Sequence, residues 1–211
     1  MAGPMGTLPM FPLGSVLFPY MPLRLRVFEE RYLIMLAELM KTEEAVFGVV
    51  LIERGHEVGG GEQRFSVGTT AEVTRLGAQD GFVGLLAQGG RRFEVERWLD
   101  DAPHPRAEVR VLPELEWDPV DTELRAETER LVRRMLAVAS EFAEDIWPAD
   151  TVLADDPVAA VWQLAAIAPV SSLDQVDLLR SASVTELLTR VAELTTDAGL
   201  AFEAPWPDID S

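Results

Sequence analysis

Residues 8–26 read LPMFPLGSVLFPYMPLRLR, and the fold turns on how this stretch is understood. It carries no charge before Arg24, yet Pro9, Pro12, Pro19 and Pro22 interrupt it. Each proline would remove a hydrogen bond from a helix interior and clash with the preceding turn, so the run is not a membrane helix. Proline also donates nothing to a sheet ladder, which excludes one long central strand. Two short strands remain, about Leu8 to Leu13 and Pro22 to Arg26, joined through Gly14-Ser15 and an apolar run. The tip of that connection, Val16 to Met21, has two readings. Either Val16, Phe18 and Met21 close the end of a β-structure, or Phe18, Tyr20 and Met21 are offered to an extended apolar peptide.

Outward from this stretch, Phe28, Tyr32, Met35, Leu36 and Leu39 share a helical face, which predicts a helix from about Phe28 to Met40. Glu29, Glu30, Arg31 and Glu38 take its other side. Strands follow. Val46 to Ile52 is a short apolar run, and Gly55 to Gly61 is a loop. Phe65 to Leu76 alternates through Phe65, Val67, Thr69, Ala71 and Val73. A turn at Gln79-Asp80-Gly81 leads to a strand at Phe82 to Ala87. Gly89-Gly90 reads as a hairpin turn before a strand through Phe93 and Val95. Asp100 to Pro105 is a loop, and Ala107, Val109 and Val111 alternate in the last strand. Short antiparallel strands separated by turns point to a small barrel, which hides its edges, with the early helix plugging or flanking it.

The composition shifts near Pro113, and helices follow. Asp118-Pro119 and Asp156-Pro157 each supply an N-cap and a proline at the first helical position. The first helix runs to about Glu144 through Val120, Leu124, Leu131, Met135, Val138 and Phe142, and Trp147-Pro148 ends that region. The second reads VAAVWQLAAIA until Pro169. Ser172 with Gln175, and Ser183 with Glu186, fit capping boxes for helices at Leu173 to Leu179 and Val184 to Thr196. Gly199 is placed to stop the last one. Together they predict a helical bundle over 114–199, with an acidic tail at 200–211 carrying Phe202 and Trp206.

The chain has 211 residues, a formal net charge of −18 and no cysteine. Disulfides and thiolate chemistry are therefore excluded. The imbalance is concentrated in the second half: residues 1–113 carry a net of −3 and residues 114–211 a net of −15. Nucleic-acid binding needs clustered cations to displace counterions, so this field opposes it. No Lys or Arg precedes Arg24, so the start lacks the basic region of a secretory signal. No membrane partner is expected, and the expected compartment is the cytoplasm.

The chemistry of common enzymes is missing from the motifs. There is no GxxxxGK[ST] phosphate cradle and no GxSxG elbow. Lys41 is the only lysine and stands at a helix end without a serine near it in sequence. His56 and His104 read as solvated loop residues. Glu53, His56, Glu57 and Glu62 surround the glycine loop without metal-ligand spacing. Asp100-Asp101, Asp155-Asp156 and Glu43-Glu44 read as solvated charge, with Asp156 already a helix cap. No catalytic residue, metal or cofactor is expected.

The order of these features resembles the N-terminal, substrate-binding domain of Lon proteases. The resemblance rests on Leu8, Pro9, Pro12, Leu13, Phe18, Pro19, Met21, Pro22 and Leu23, on Val67-Gly68-Thr69-Thr70-Ala71 and on Gly89-Gly90-Arg91-Arg92-Phe93. In the helical half Gln175, Leu178 and Leu179 occupy a Gln-x-x-Leu-Leu pattern, with Asp174 where a lysine often stands. It covers about residues 8–198. It implies an α+β fold in which a PUA-like small β-barrel with one flanking helix (1–113) precedes an α-helical bundle subdomain (114–199). The implied function is non-catalytic binding of unfolded polypeptide or a partner protein. Since the chain shows neither an ATPase nor a peptidase motif, a stand-alone protein of this kind is expected. Alternatives are a nucleic-acid-binding PUA-like module and a small hydrolase with an assembled carboxylate site.

Overall fold

Six strands form one sheet in the order β2-β5-β4-β3-β1-β6. They are β1 (Met5–Leu13), β2 (Pro22–Val27), β3 (Val46–Glu53), β4 (Gln63–Gln79), β5 (Phe82–Trp98) and β6 (Arg106–Val111). The computed structural model describes residues 5–53, 63–143 and 146–203. The loop Gly55 to Gly61, with His56, Glu57 and the neighbouring Glu62, lies outside the described residues. So does the tail from 204, with Trp206, and of Phe202 only the backbone is described. The chain divides into two compact units, Met1–Glu114 and Leu115–Ser211. Among the described residues no helix is long and apolar enough to cross a membrane.

In the first unit β5 also pairs with β6, so the pairing returns on itself through β5, β4, β3, β1 and β6. One pair departs from the antiparallel expectation: β1 runs parallel to β3, with Met10 opposite Gly48 and Leu13 opposite Leu51. The intervening β2 and helix α1 (Glu30–Leu39) supply the long crossover that a parallel pair requires. Each proline of β1 lies where the strand is in register with one neighbour, Pro9 with β6 and Pro12 with β3, so a missing N–H is tolerated as on an edge.

Inside the ring, Met10, Val50, Phe93, Ala107 and Val109 form a buried cluster. Two glycines make room for the Phe93 ring: a Cβ on Gly48 would lie 2.9 Å from its Cζ, and one on Gly68 2.8 Å. Helix α1 flanks the ring rather than plugging it. Phe11, the neighbour of Met10 on β1, faces the other way and stacks on Tyr32 of α1 with ring centroids 3.9 Å apart. Met35, Leu36 and Leu39 complete that buried stripe, but Phe28 precedes the helix and is exposed. His104 corrects the expectation of a solvated loop histidine. It is buried, with Nε2 2.9 Å from the Glu38 carboxylate and Nδ1 3.2 Å from the Pro105 carbonyl, and so ties α1 to the start of β6.

The Gly89-Gly90 turn is not formed. β5 runs unbroken through both glycines, opposite β4, and the hairpin turn between these two long strands is Asp80-Gly81, with Gly81 at φ +88°. Asp101 is also not simply solvated. Its carboxylate receives both terminal amino groups of Arg64, at 3.0 and 2.6 Å, and this contact lowers its pKa from the ordinary aspartate value.

The second unit holds α2 (Thr122–Ala139), α3 (Pro157–Ile167), α4 (Ser172–Leu178) and α5 (Val184–Glu203). Asp118 accepts from Val120 N at 3.0 Å and opens a short 3-10 turn, Pro119–Asp121, ahead of α2. α2 stops at Ala139, short of the expected Glu144. Its buried line is Thr128, Val132, Leu136 and Ala139, while Val120 and Phe142 are exposed. Asp156 caps α3 through Ala159 N at 2.8 Å. The capping box of α4 uses Ser171 and Asp174, one residue earlier than expected. Replacing Ser171 by alanine is therefore expected to cost about 1 kcal/mol in thermal denaturation, against less than about 0.5 kcal/mol for Ser172→Ala. At α5, Ser183 Oγ accepts from Glu186 N, while the Glu186 carboxylate reaches Ala182 N at 2.7 Å. Gly199 does not end α5, which continues to Glu203. A Cβ there would meet only the flexible end of the Met135 side chain of α2, at 3.1 Å.

Candidate protein-binding surface

The connection between β1 and β2 is fastened to β5 by main-chain bonds. Tyr20 N donates to Gly89 O at 2.8 Å, and Gly89 N donates to Met21 O at 2.8 Å. Within the loop Met21 N donates to Phe18 O at 3.3 Å. This close docking is why position 89 is glycine: a Cβ there would stand 2.1 Å from Phe18 O. The sequence signal read as a turn is a point of close backbone approach.

Of the three residues expected to present the apolar tip, the structure puts two inside. Phe18 is 1% exposed and Met21 9%, whereas Tyr20 is 40% exposed. Tyr20 also holds φ at +62°, and no other described non-glycine residue has a positive φ. That left-handed backbone costs about 1 kcal/mol for an L-residue with a large side chain. Such cost is tolerated where the surrounding contacts enforce it, and such residues gather at functional sites. Here the two bonds to Gly89 enforce it and turn the Tyr20 ring outward.

A second surface was not anticipated from the sequence. Beyond the residues that pair with β3 and β6, the β4–β5 hairpin continues and carries β2 on its side. There Arg24 of β2, Leu86 of β5 and Arg75 of β4 stand opposite one another across three strands, followed by Arg26, Gly84 and Gly77. These residues and Phe82 line a groove of about 440 Å³. The signal was present in the alternation Arg24-Leu25-Arg26, which puts both guanidinium groups on one face of a strand.

The titratable groups elsewhere hold the scaffold together. Arg92 is buried and donates to Pro113 O at 2.5 Å; burial lowers its pKa to about 10. On the outside of the β5–β6 pair, Arg97 meets Glu108 at 2.5 Å, and Arg110 pairs with Glu94 and Glu96. Among the described residues no three or more His, Asp or Glu side chains converge as a metal site.

Comparison with known proteins agrees with this architecture. A Lon protease of Heliobacterium modesticaldum is 25% identical over 194 residues, which is 89% of this chain and 23% of that protein. A Lon protease of Rhizobium meliloti is 34% identical over 119 residues, 56% of this chain and 15% of that protein. The chain thus spans less than a quarter of these curated relatives. The crystal structure of a Lon N-terminal domain protein from Xanthomonas campestris superposes with a TM-score of 0.64 at 26% identity, covering 89% of this chain and 98% of that one. The N-terminal domain of Mycobacterium avium complex Lon protease shares the fold, with a TM-score of 0.63 at 19% identity over 91% of this chain and 99% of that one. The family model of the ATP-dependent protease La (LON) substrate-binding domain matches residues 7–197, and the chain belongs to that family.

Proposed function

We propose that this chain is a non-catalytic module that binds unfolded polypeptide or a partner protein, in the manner of an adaptor or a chaperone-like factor. The observation that carries the reading is the match of residues 7–197 to a substrate-binding domain. The closed ring of strands is read as the PUA-like barrel, and the helices of the second unit as the bundle subdomain. Tyr20 is the proposed contact with the bound chain. Buried Phe18 and Met21 are its supports, holding the loop from beneath.

The test uses Tyr20→Gly. Glycine accepts φ +62° without cost, which offsets its greater freedom in the unfolded chain, so stability is expected to stay within about 1 kcal/mol. Binding of a labelled uncharged peptide rich in leucine and phenylalanine, read by fluorescence anisotropy, is expected to weaken about fivefold or more. Equal binding by the two proteins would remove Tyr20 from the site. Lack of saturable binding of this peptide by the wild type would remove the apolar contact at Tyr20.

A further inference from the structure

We propose that the free edge of β2 takes an acidic, extended polypeptide segment, which adds as a strand and turns its acidic side chains toward the groove that β2, β5 and β4 form on one face. The inference rests on the binding-module reading above and names a site and a ligand class for it. Three observations converge. First, β2 ends the strand order and, among the described residues, pairs with β5 alone. Alternate N–H and C=O groups of such an edge point away from its one partner and are available to another chain. Second, Arg24, Arg26 and Arg75 are exposed, and no carboxylate is among the described residues that line the groove. This contrasts with Arg64, Arg97 and Arg110 of the same unit, each held by an acid. In a half of the chain that carries a net of −3, three cations without such an acid at one place make a local positive patch. Third, beside Leu86 and Phe82 the groove floor opens onto backbone, where Gly77 and Gly84 face each other and a Cβ on Gly77 would meet nothing within 4 Å.

Charge on an edge strand also serves to keep like edges apart. That role accounts for Arg24 and Arg26 but not for Arg75, which stands two strands inward on β4. Arg26 lies over the Phe82 ring at 5.4 Å, so its guanidinium is held at the groove rather than spread into solvent. An extended chain with acids at every second residue would place its carboxylates on one face, matching the side of β2 that carries Arg24 and Arg26. The edge also separates polypeptide from nucleic acid, since phosphates satisfy arginines but cannot continue a strand ladder.

The experiment compares labelled peptides alternating threonine with glutamate or with lysine, on wild type and on the Arg24→Gln/Arg26→Gln variant. The glutamate peptide is expected to bind saturably, to weaken with added salt, and to lose about tenfold on the variant. Its N-methylation at alternate residues is expected to abolish binding in one of the two phases. Both substitutions are at exposed positions, and an unchanged melting temperature checks the fold. Failure of the glutamate peptide to bind, equal binding of the lysine peptide, or an unaffected variant overturns the proposal. Undiminished binding of both N-methylated forms overturns strand addition, and tighter binding of oligo-dT overturns the polypeptide ligand. The uncharged leucine-phenylalanine peptide separates the two levels. If it binds and the glutamate peptide does not, the groove inference alone fails. If neither binds, the module reading fails with it.

Discussion

Replacing Gly89 by alanine is expected to destabilise the protein by about 3 kcal/mol and to lower its melting temperature by about 10 °C or more. The added Cβ would stand 2.1 Å from Phe18 O, a backbone atom that no rotamer change can move aside. Relief requires the β1–β2 connection to lift off β5, which stretches the two main-chain bonds at Tyr20 and Met21. The same substitution is therefore expected to disorganise the tip. Gly77→Ala is the matched control on the adjacent strand. Nothing lies within 4 Å of its Cβ, and alanine restricts the unfolded chain, so stability is expected to hold or rise by about 0.5 kcal/mol. Similar melting curves for the two variants would show that the tip is not docked on β5 in solution.

The second large effect is expected from Phe93→Ala, at about 4 kcal/mol. Phe93 is 0% exposed and fills the interior among Met10, Val50, Ala107 and Val109. Its nearest neighbours on β3 and β4 include Gly48 and Gly68, which have no side chains to swing into the space. The void therefore persists, and loss of contacts adds to loss of burial. Chemical denaturation of the variant gives the number. A loss below about 1 kcal/mol would mean that the ring collapses around the vacancy, contrary to the packing described.

Helix starts were legible because their chemistry is local. Asp118 and Asp156 each accept from a main-chain N–H two or three residues on, as the Asp-Pro pairs foretold. Burial stripes on α1 were legible for the same reason, since Tyr32, Met35, Leu36 and Leu39 follow one period. Glycine defeated the reading twice. At Gly89 a missing Cβ serves close approach of loop to strand, and the sequence signal for that is identical to the signal for a turn; at Gly199 the helix runs on through a residue that also reads as a cap. The parallel β1–β3 pair was hidden because strand direction depends on where a distant segment returns. His104 and Glu38 are 66 positions apart, and nothing local to either announces the contact. At the candidate site the stretch was found but not its orientation: Tyr20 faces out, while Phe18 and Met21 face in. The groove arginines escaped because Arg75 joins Arg24 and Arg26 only through the strand register.

The first strand waits for the last. β1 lies between β3 and β6, and its pairing with β6 joins Met5 to Arg110 and Pro9 to Arg106. During synthesis β1 is made before β3 and long before β6, and it carries no charge. Closing so long a loop must be paid in entropy before the contact returns anything, which places this pairing late on the folding route. Until β6 is made, β1 is thus an apolar strand without one of its two partners. A newly made copy of this chain passes through the same condition that the module is proposed to recognise in others.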